Sequence, residues 1–191
     1  DEQGNRYSTV YMVPNTNDCK RCHISNGILT PIGPKAANLN FVRSGMQHNQ
    51  LSQWASAGML SGLPDLATVP KMPAWNDAAQ GSLEQRARAY IDVNCAHCHR
   101  KGGDAENTGL YLEYEQTDLN HLGILKEPVS AGGGAGGLNY DIIPGDAQHS
   151  IFVYRMNSTE PGTAMPELAR TLIHKEGVQL VSDWINKMKQ Q

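Results

Sequence analysis

Two copies of one pentapeptide, Cys-x-x-Cys-His, hold every cysteine of the chain: Cys19, Cys22 and His23, then Cys95, Cys98 and His99. With four Cys and seven His in 191 residues, chance would place about 0.003 such runs in the chain. On a helical turn, residues i and i+3 share a face and i+4 lies almost beneath i. Two thiols so spaced can each add to one vinyl group of a protohaem, and the adjacent imidazole then lies under the ring, within reach of the iron. That is the chemical content of a covalent c-type haem attachment run. Two such runs predict two covalently bound c-type haems, with His23 and His99 as proximal iron ligands.

Other uses of the same residues fit less well. A disulfide framework needs no His after each pair. A Cys₂His zinc site lacks a nearby fourth ligand in either copy. A thioredoxin-like thiol pair calls for a βαβ setting, and no such alternation is visible here.

The composition agrees with a chain that draws on a prosthetic group. Hydrophobic residues make up 39% and charged residues 18%, with 19 Gly and 10 Pro. Gly and Pro together exceed the roughly 12% of average usage. Side chains alone supply a thin core for two domains, yet charge is too low for a disordered chain. The absence of any run of roughly 18 apolar residues argues against a membrane-spanning helix. A net charge of −3 and a pI near 6.2 argue against a nucleic-acid partner.

The motifs stand 76 residues apart (95 − 19), and each is followed by a Met-Pro pair on a Pro- or Gly-bearing loop. These are Met72-Pro73, 49 residues beyond His23 (72 − 23), and Met165-Pro166, 66 residues beyond His99 (165 − 99). A thioether sulfur is a soft ligand that favours ferrous iron. Met72 and Met165 are therefore expected as sixth ligands of the first and second iron, with relatively high potentials. Met46, His48 and Met59 compete with Met72, and His149 and Met156 with Met165. Met156 is expected in a packing role, on a segment of alternating apolar residues.

Three helices are predicted. One opens at Ser82 with the capping box Ser82-Leu83-Glu84-Gln85, carries Leu83, Ala87, Tyr90 and Ile91 at helical spacing, and runs straight into the second motif. The last spans about 174–189, with Val178, Val181, Trp184, Ile185 and Met188 on one stripe. A shorter one covers 49–57 and stops at Gly58. Residues 6–13 read as a small strand or extended arm. The run Ala131-Gly132-Gly133-Gly134-Ala135-Gly136-Gly137 contains a G-x-G-x-x-G, but no strand precedes it and no helix follows. It reads as a flexible stretch, not a phosphate loop. His121 and His174 are expected at the surface.

A helix entering Cys-x-x-Cys-His, a Met on a Pro-flanked loop and a closing helix together resemble a class I cytochrome c domain. The resemblance covers nearly all the chain as two tandem units, 1–81 and 82–191, in a mostly α fold with long loops, the helix from Ser82 serving both. Ile32-Gly33-Pro34 is similar to the family's Gly-Pro turn, whose carbonyl often orients the proximal His. The first unit departs from the pattern at its start, where Pro14 and the extended arm replace the usual helix. The tail from Gly137 through Met165-Pro166-Glu167-Leu168 is similar to bacterial haem proteins in which a cytochrome c module ends a longer secreted chain.

The resemblance implies a periplasmic dihaem carrier of single electrons between a redox donor and an acceptor protein, not an enzyme. A chain opening at Asp1 without a Met fits a removed export signal. Lys20, Arg21, Arg100 and Lys101, beside the motifs, are candidates for steering an acidic redox partner. Two other readings compete: a dihaem peroxidase, which needs one iron with an open sixth position, and the electron-entry module of a larger dehydrogenase.

Overall fold

The computed structural model describes residues 4–129 and 131–189, so the two ranges expected for the tandem units run past the described chain at 1–3 and 190–191. Its regular structure is mostly helical. The α-helices are α1 (Thr16–Cys22), α2 (Ala36–Leu39), α3 (Gln50–Ser56), α4 (Leu83–Cys95), α5 (Ile151–Met156) and α6 (Lys175–Lys187). A two-residue antiparallel pair, β1 (Ile24–Ser25) and β2 (Ile28–Leu29), follows α1. No helix among the described residues is long and apolar enough to cross a membrane.

Local chemistry explains where the helices start. Asn15 caps α1 by accepting from the amides of Asn17 and Asp18, and the Asp18 carboxylate accepts from the Asn15 amide in return. The expected box at α4 is present: the Gln85 N–H donates to Ser82 Oγ and the Ser82 N–H to Gln85 Oε1. Helix α3 ends just before Gly58, whose φ of 72° suits the left-handed stop. Asn26 and Gly27 join β1 to β2 with φ of 51° and 75°, the pair of positive φ values that a tight hairpin turn requires.

The core lies in the second half. Ala87 and Ile91 of α4, Met156 of α5, and Leu180, Val181, Trp184 and Ile185 of α6 pack with Leu110, Leu112 and Ile142 into one cluster. Among the described residues before 82, Leu51 and Met72 are the buried apolar side chains. Helices α4 and α6 pack closely, and a Cβ at Gly177 would overlap the Tyr90 hydroxyl.

Three segments depart from the sequence reading. Residues 151–156 form a helix, with Ile151 and Met156 buried; six apolar-rich residues are too few to separate periods of 2 and 3.6. The glycine run folds into a 3₁₀ turn at Gly132–Ala135, and Gly134 is buried so tightly that a Cβ would stand 2.6 Å from the Gly162 carbonyl. Residues 6–13 are exposed and form no regular secondary structure.

Candidate haem cleft

Both pentapeptides open onto one cleft of about 840 Å³. Its lining includes Cys19, Cys22 and His23 from the end of α1, Cys95, Cys98 and His99 from the end of α4, and Met165. α1 ends on Cys22 with His23 as its cap, whereas α4 ends on Cys95 and the rest of the second motif is a turn; in both, the histidine N–H donates to the carbonyl of the first cysteine, His23 to Cys19 and His99 to Cys95. Leu110, Leu112, Ile151, Phe152 and Val178 supply apolar wall.

The two motifs face each other. Cys22 Sγ and Cys98 Sγ stand 3.8 Å apart. Arg21, inside the first motif, pairs with Asp104 at 3.0 Å and with Glu167, beside the Met165 loop, at 2.9 Å. The Asn26 amide at the hairpin tip donates to the Gly102 carbonyl at 3.0 Å. Gly102 has φ 74°, and a Cβ there would overlap the Asn26 side chain. A glycine is what lets the two segments approach so closely.

The two motif histidines differ in their surroundings. His99 is 7% exposed, and burial, then Arg155 and His97, push its pKa down to about 4, which keeps the ring neutral and able to ligate at neutral pH. Thr108 Oγ1 donates to the Ala105 carbonyl at 2.7 Å and lies 3.4 Å from His99 Nδ1. With its hydrogen spent, that oxygen accepts from Nδ1–H, which leaves the Nε2 lone pair for a metal. His23 is only half-buried, and its Nδ1 faces the Ile32 N–H at 3.4 Å. The Ile32-Gly33-Pro34 segment therefore does reach His23, but through an amide rather than a carbonyl. As an Nε2 ligand, His23 must first carry its proton on Nδ1.

The two methionines differ likewise. Met165 is half-buried in the cleft lining, its N–H donating to the Arg155 carbonyl at 3.1 Å. Met72 is buried outside that lining, its sulfur accepting from Asn38 Nδ2 at 3.0 Å and its N–H donating to the Ala37 carbonyl. Met46, His48 and Met59 are exposed and lie outside the cleft lining. Met156 is a core residue that also lines the cleft, and exposed His149 pairs with Asp146 at 2.7 Å.

The thiols of Cys95 and Cys98 are both pushed up to about 12, chiefly by burial, with Asp92 adding at Cys95 and the Cys22 thiol at Cys98. A redox-active Cys-x-x-Cys pair shows the reverse, a lowered thiol. Cys22, His97 and Cys98 bring their ligand atoms within 4.8 Å of one another, three donors where a structural zinc takes four.

The cleft suits a macrocycle carrying carboxylates. Arg155 and Arg170 line it. Arg170 spends its terminal nitrogens on the Met156 and Ser158 carbonyls, while its buried Nε has no partner. His97 Nδ1 is a second buried polar atom without a partner in the lining. An anionic substituent would answer the first of these, and apolar wall beside free thiols answers the ring and its vinyl groups.

Sequence reasoning passed over His97, Thr108, Arg155 and Arg170. His97 occupies a variable position of its motif, and the others reach the cleft only through tertiary contacts. His121 and His174 are better partnered than expected: His121 stacks on Tyr111 with its Nδ1 2.9 Å from the Gly109 carbonyl, and exposed His174 places Nδ1 3.0 Å from the Tyr90 hydroxyl. Arg21 is tied into ion pairs, which leaves Lys20 and Lys101 as the exposed cations flanking the motifs. No family model, no curated protein and no solved structure matches this chain.

Proposed function

We propose that this chain is a periplasmic dihaem c-type cytochrome that carries single electrons between a donor and an acceptor protein, built as two tandem cytochrome c-like units that share α4. The observation that carries the reading is the convergence of both complete Cys-x-x-Cys-His runs on one apolar-walled cleft.

When bound, haem iron supplies the reversible one-electron change. Cys19 and Cys22, and Cys95 and Cys98, would hold the two macrocycles through thioethers. His99 offers a neutral Nε2 fixed by Thr108, and Met165 stands in the same lining as its thioether partner. Arg155 and Arg170 offer positive charge to the propionates. Leu110, Leu112 and Ile151 offer apolar wall to the rings.

A second reading, a dihaem peroxidase, is favoured by one specific observation. Met72 lies outside the cleft lining with its sulfur already accepting from Asn38, so that methionine is not presented to the cleft that His23 lines and would leave the first iron open. A peroxidase needs such an open iron.

The test is the haem-to-protein ratio by pyridine haemochrome, together with the methionine–iron charge-transfer band of the ferric protein. Two haems per chain with a band of two-haem intensity support the electron carrier. Two haems with a high-spin component that binds carbon monoxide move the peroxidase reading ahead. No covalent haem in a maturation-competent host rejects both.

A further inference from the structure

We infer that Cys22, His97 and Cys98 form a zinc site that neither pentapeptide could make alone, with its fourth position left to solvent in the cleft. It draws on two sulfurs that the thioethers would use, so it belongs to the chain before haem attachment. It does not rest on the dihaem reading.

The fold joins ligands that the sequence keeps apart. Cys22 closes α1, whereas His97 and Cys98 stand in the turn after α4. One ligand atom from each lies within 4.8 Å of the other two. Cys22 Sγ and Cys98 Sγ are 3.8 Å apart. Tetrahedral zinc, with sulfur at about 2.3 Å, sets two thiolates about 3.8 Å from each other. All three residues are half-buried, and His97 Nδ1 is buried without a hydrogen-bond partner.

The donor set suits the ion. Zinc takes thiolate and imidazole, and an open zinc site has three protein ligands with water in the fourth position. Two thiolates cancel the dication's charge, which favours a half-buried site. The three residues line the cleft, which has room for that water. Binding makes two zinc–sulfur bonds and one zinc–nitrogen bond; each thiol gives its proton to solvent, and no electron moves.

Other contacts hold the three residues together. Arg21 crosses from the first motif to Asp104 and Glu167 around the second. The Asn26 amide donates to the Gly102 carbonyl, with no room for a side chain at Gly102. While zinc holds the second cysteine of both motifs, neither motif can complete its pair of thioethers.

The test uses the full chain, made without haem and kept reduced. It is titrated with zinc against a chromophoric chelator, and with cobalt(II), whose visible bands report the ligand set. We expect one ion per chain, with cobalt–thiolate charge transfer and four-coordinate d–d bands. Cys22→Ser and Cys98→Ser each leave a complete cysteine pair in the other motif. Each should still weaken binding by more than the roughly 10–100-fold that loss of a supporting contact costs. His97→Gln should weaken it too and shift the cobalt bands. Cys19→Ser with Cys95→Ser breaks both haem attachment runs but keeps the three ligands; it should bind one ion with the unmodified spectrum. No binding, two ions per chain, or an ion kept by Cys22→Ser and lost from the Cys19→Ser, Cys95→Ser chain overturns the shared site. Haem content of the matured chain is a separate readout, so either proposal can fail alone.

Discussion

The same pentapeptide sits in two different settings. The second copy grows out of a thirteen-residue helix packed on α6, and its histidine is buried, neutral and oriented by Thr108. The first ends a seven-residue helix with no buried residue and is held by a hairpin and by ion pairs of Arg21 that remain part-exposed. Motif identity fixes the covalent chemistry a segment can support. Burial and supporting contacts decide whether the segment is organised by the chain alone. The second site is pre-formed by ordinary side-chain packing, and the first relies on its neighbour.

The largest break in this comparison should come from the α4–α6 interface. Trp184→Ala removes a core side chain and should cost about 3–5 kcal/mol, read as the shift in urea midpoint. Ile28→Ala, on the exposed hairpin of the first motif, should move it by less than about 0.5 kcal/mol.

A smaller effect is expected from pH. In the haem-free chain His99 takes its proton at about 4 when folded, against 6.5 for the free side chain. Between these values the unfolded chain binds more protons, so stability falls as pH falls. The loss by pH 4 should be about 3 kcal/mol. Thermal melts from pH 7 to 4 measure it, and His99→Gln should abolish that part of the slope.

The smallest effect belongs to Arg21→Gln. Part-exposed ion pairs contribute roughly 0–1 kcal/mol, so the urea midpoint of the variant should barely move. Protection of the Asn26 amide in hydrogen exchange should fall, and the wild type should approach the variant in high salt. A loss well above about 1 kcal/mol would mean that Arg21 holds more than the face of the first motif.

The parts of the fold that were legible in the sequence are those written in local patterns. Helices α4 and α6 appear within two residues of their expected bounds, because Ser82 with Gln85 marks one start and the Val178-to-Ile185 stripe marks the other helix. The 24–29 hairpin has a local signal too, the Asn26-Gly27 pair, whose positive φ values suit its turn. Helix α5 is not legible in the sequence, because Ile151-Phe152-Val153 satisfies either period. Of the candidate site, the cysteines and histidines were legible because their chemistry is local. Its assembly was not. Arg21 meets Glu167 across 146 residues (167 − 21), and Met72 is turned to Asn38 by packing that no spacing rule encodes.

Asp92 gives the duplicated pattern an asymmetric seam. Its buried carboxylate takes Lys35 at 2.5 Å from one side and the Tyr114 amide at 2.9 Å from the other, while Trp75 packs against the core from before the helix begins. A cut between residues 81 and 82 would strip one motif of its anchor and leave the other with an unanswered charge. The repeat is visible as a pattern in the sequence, but the segments that carry its two copies are packed against each other and do not form two separable halves.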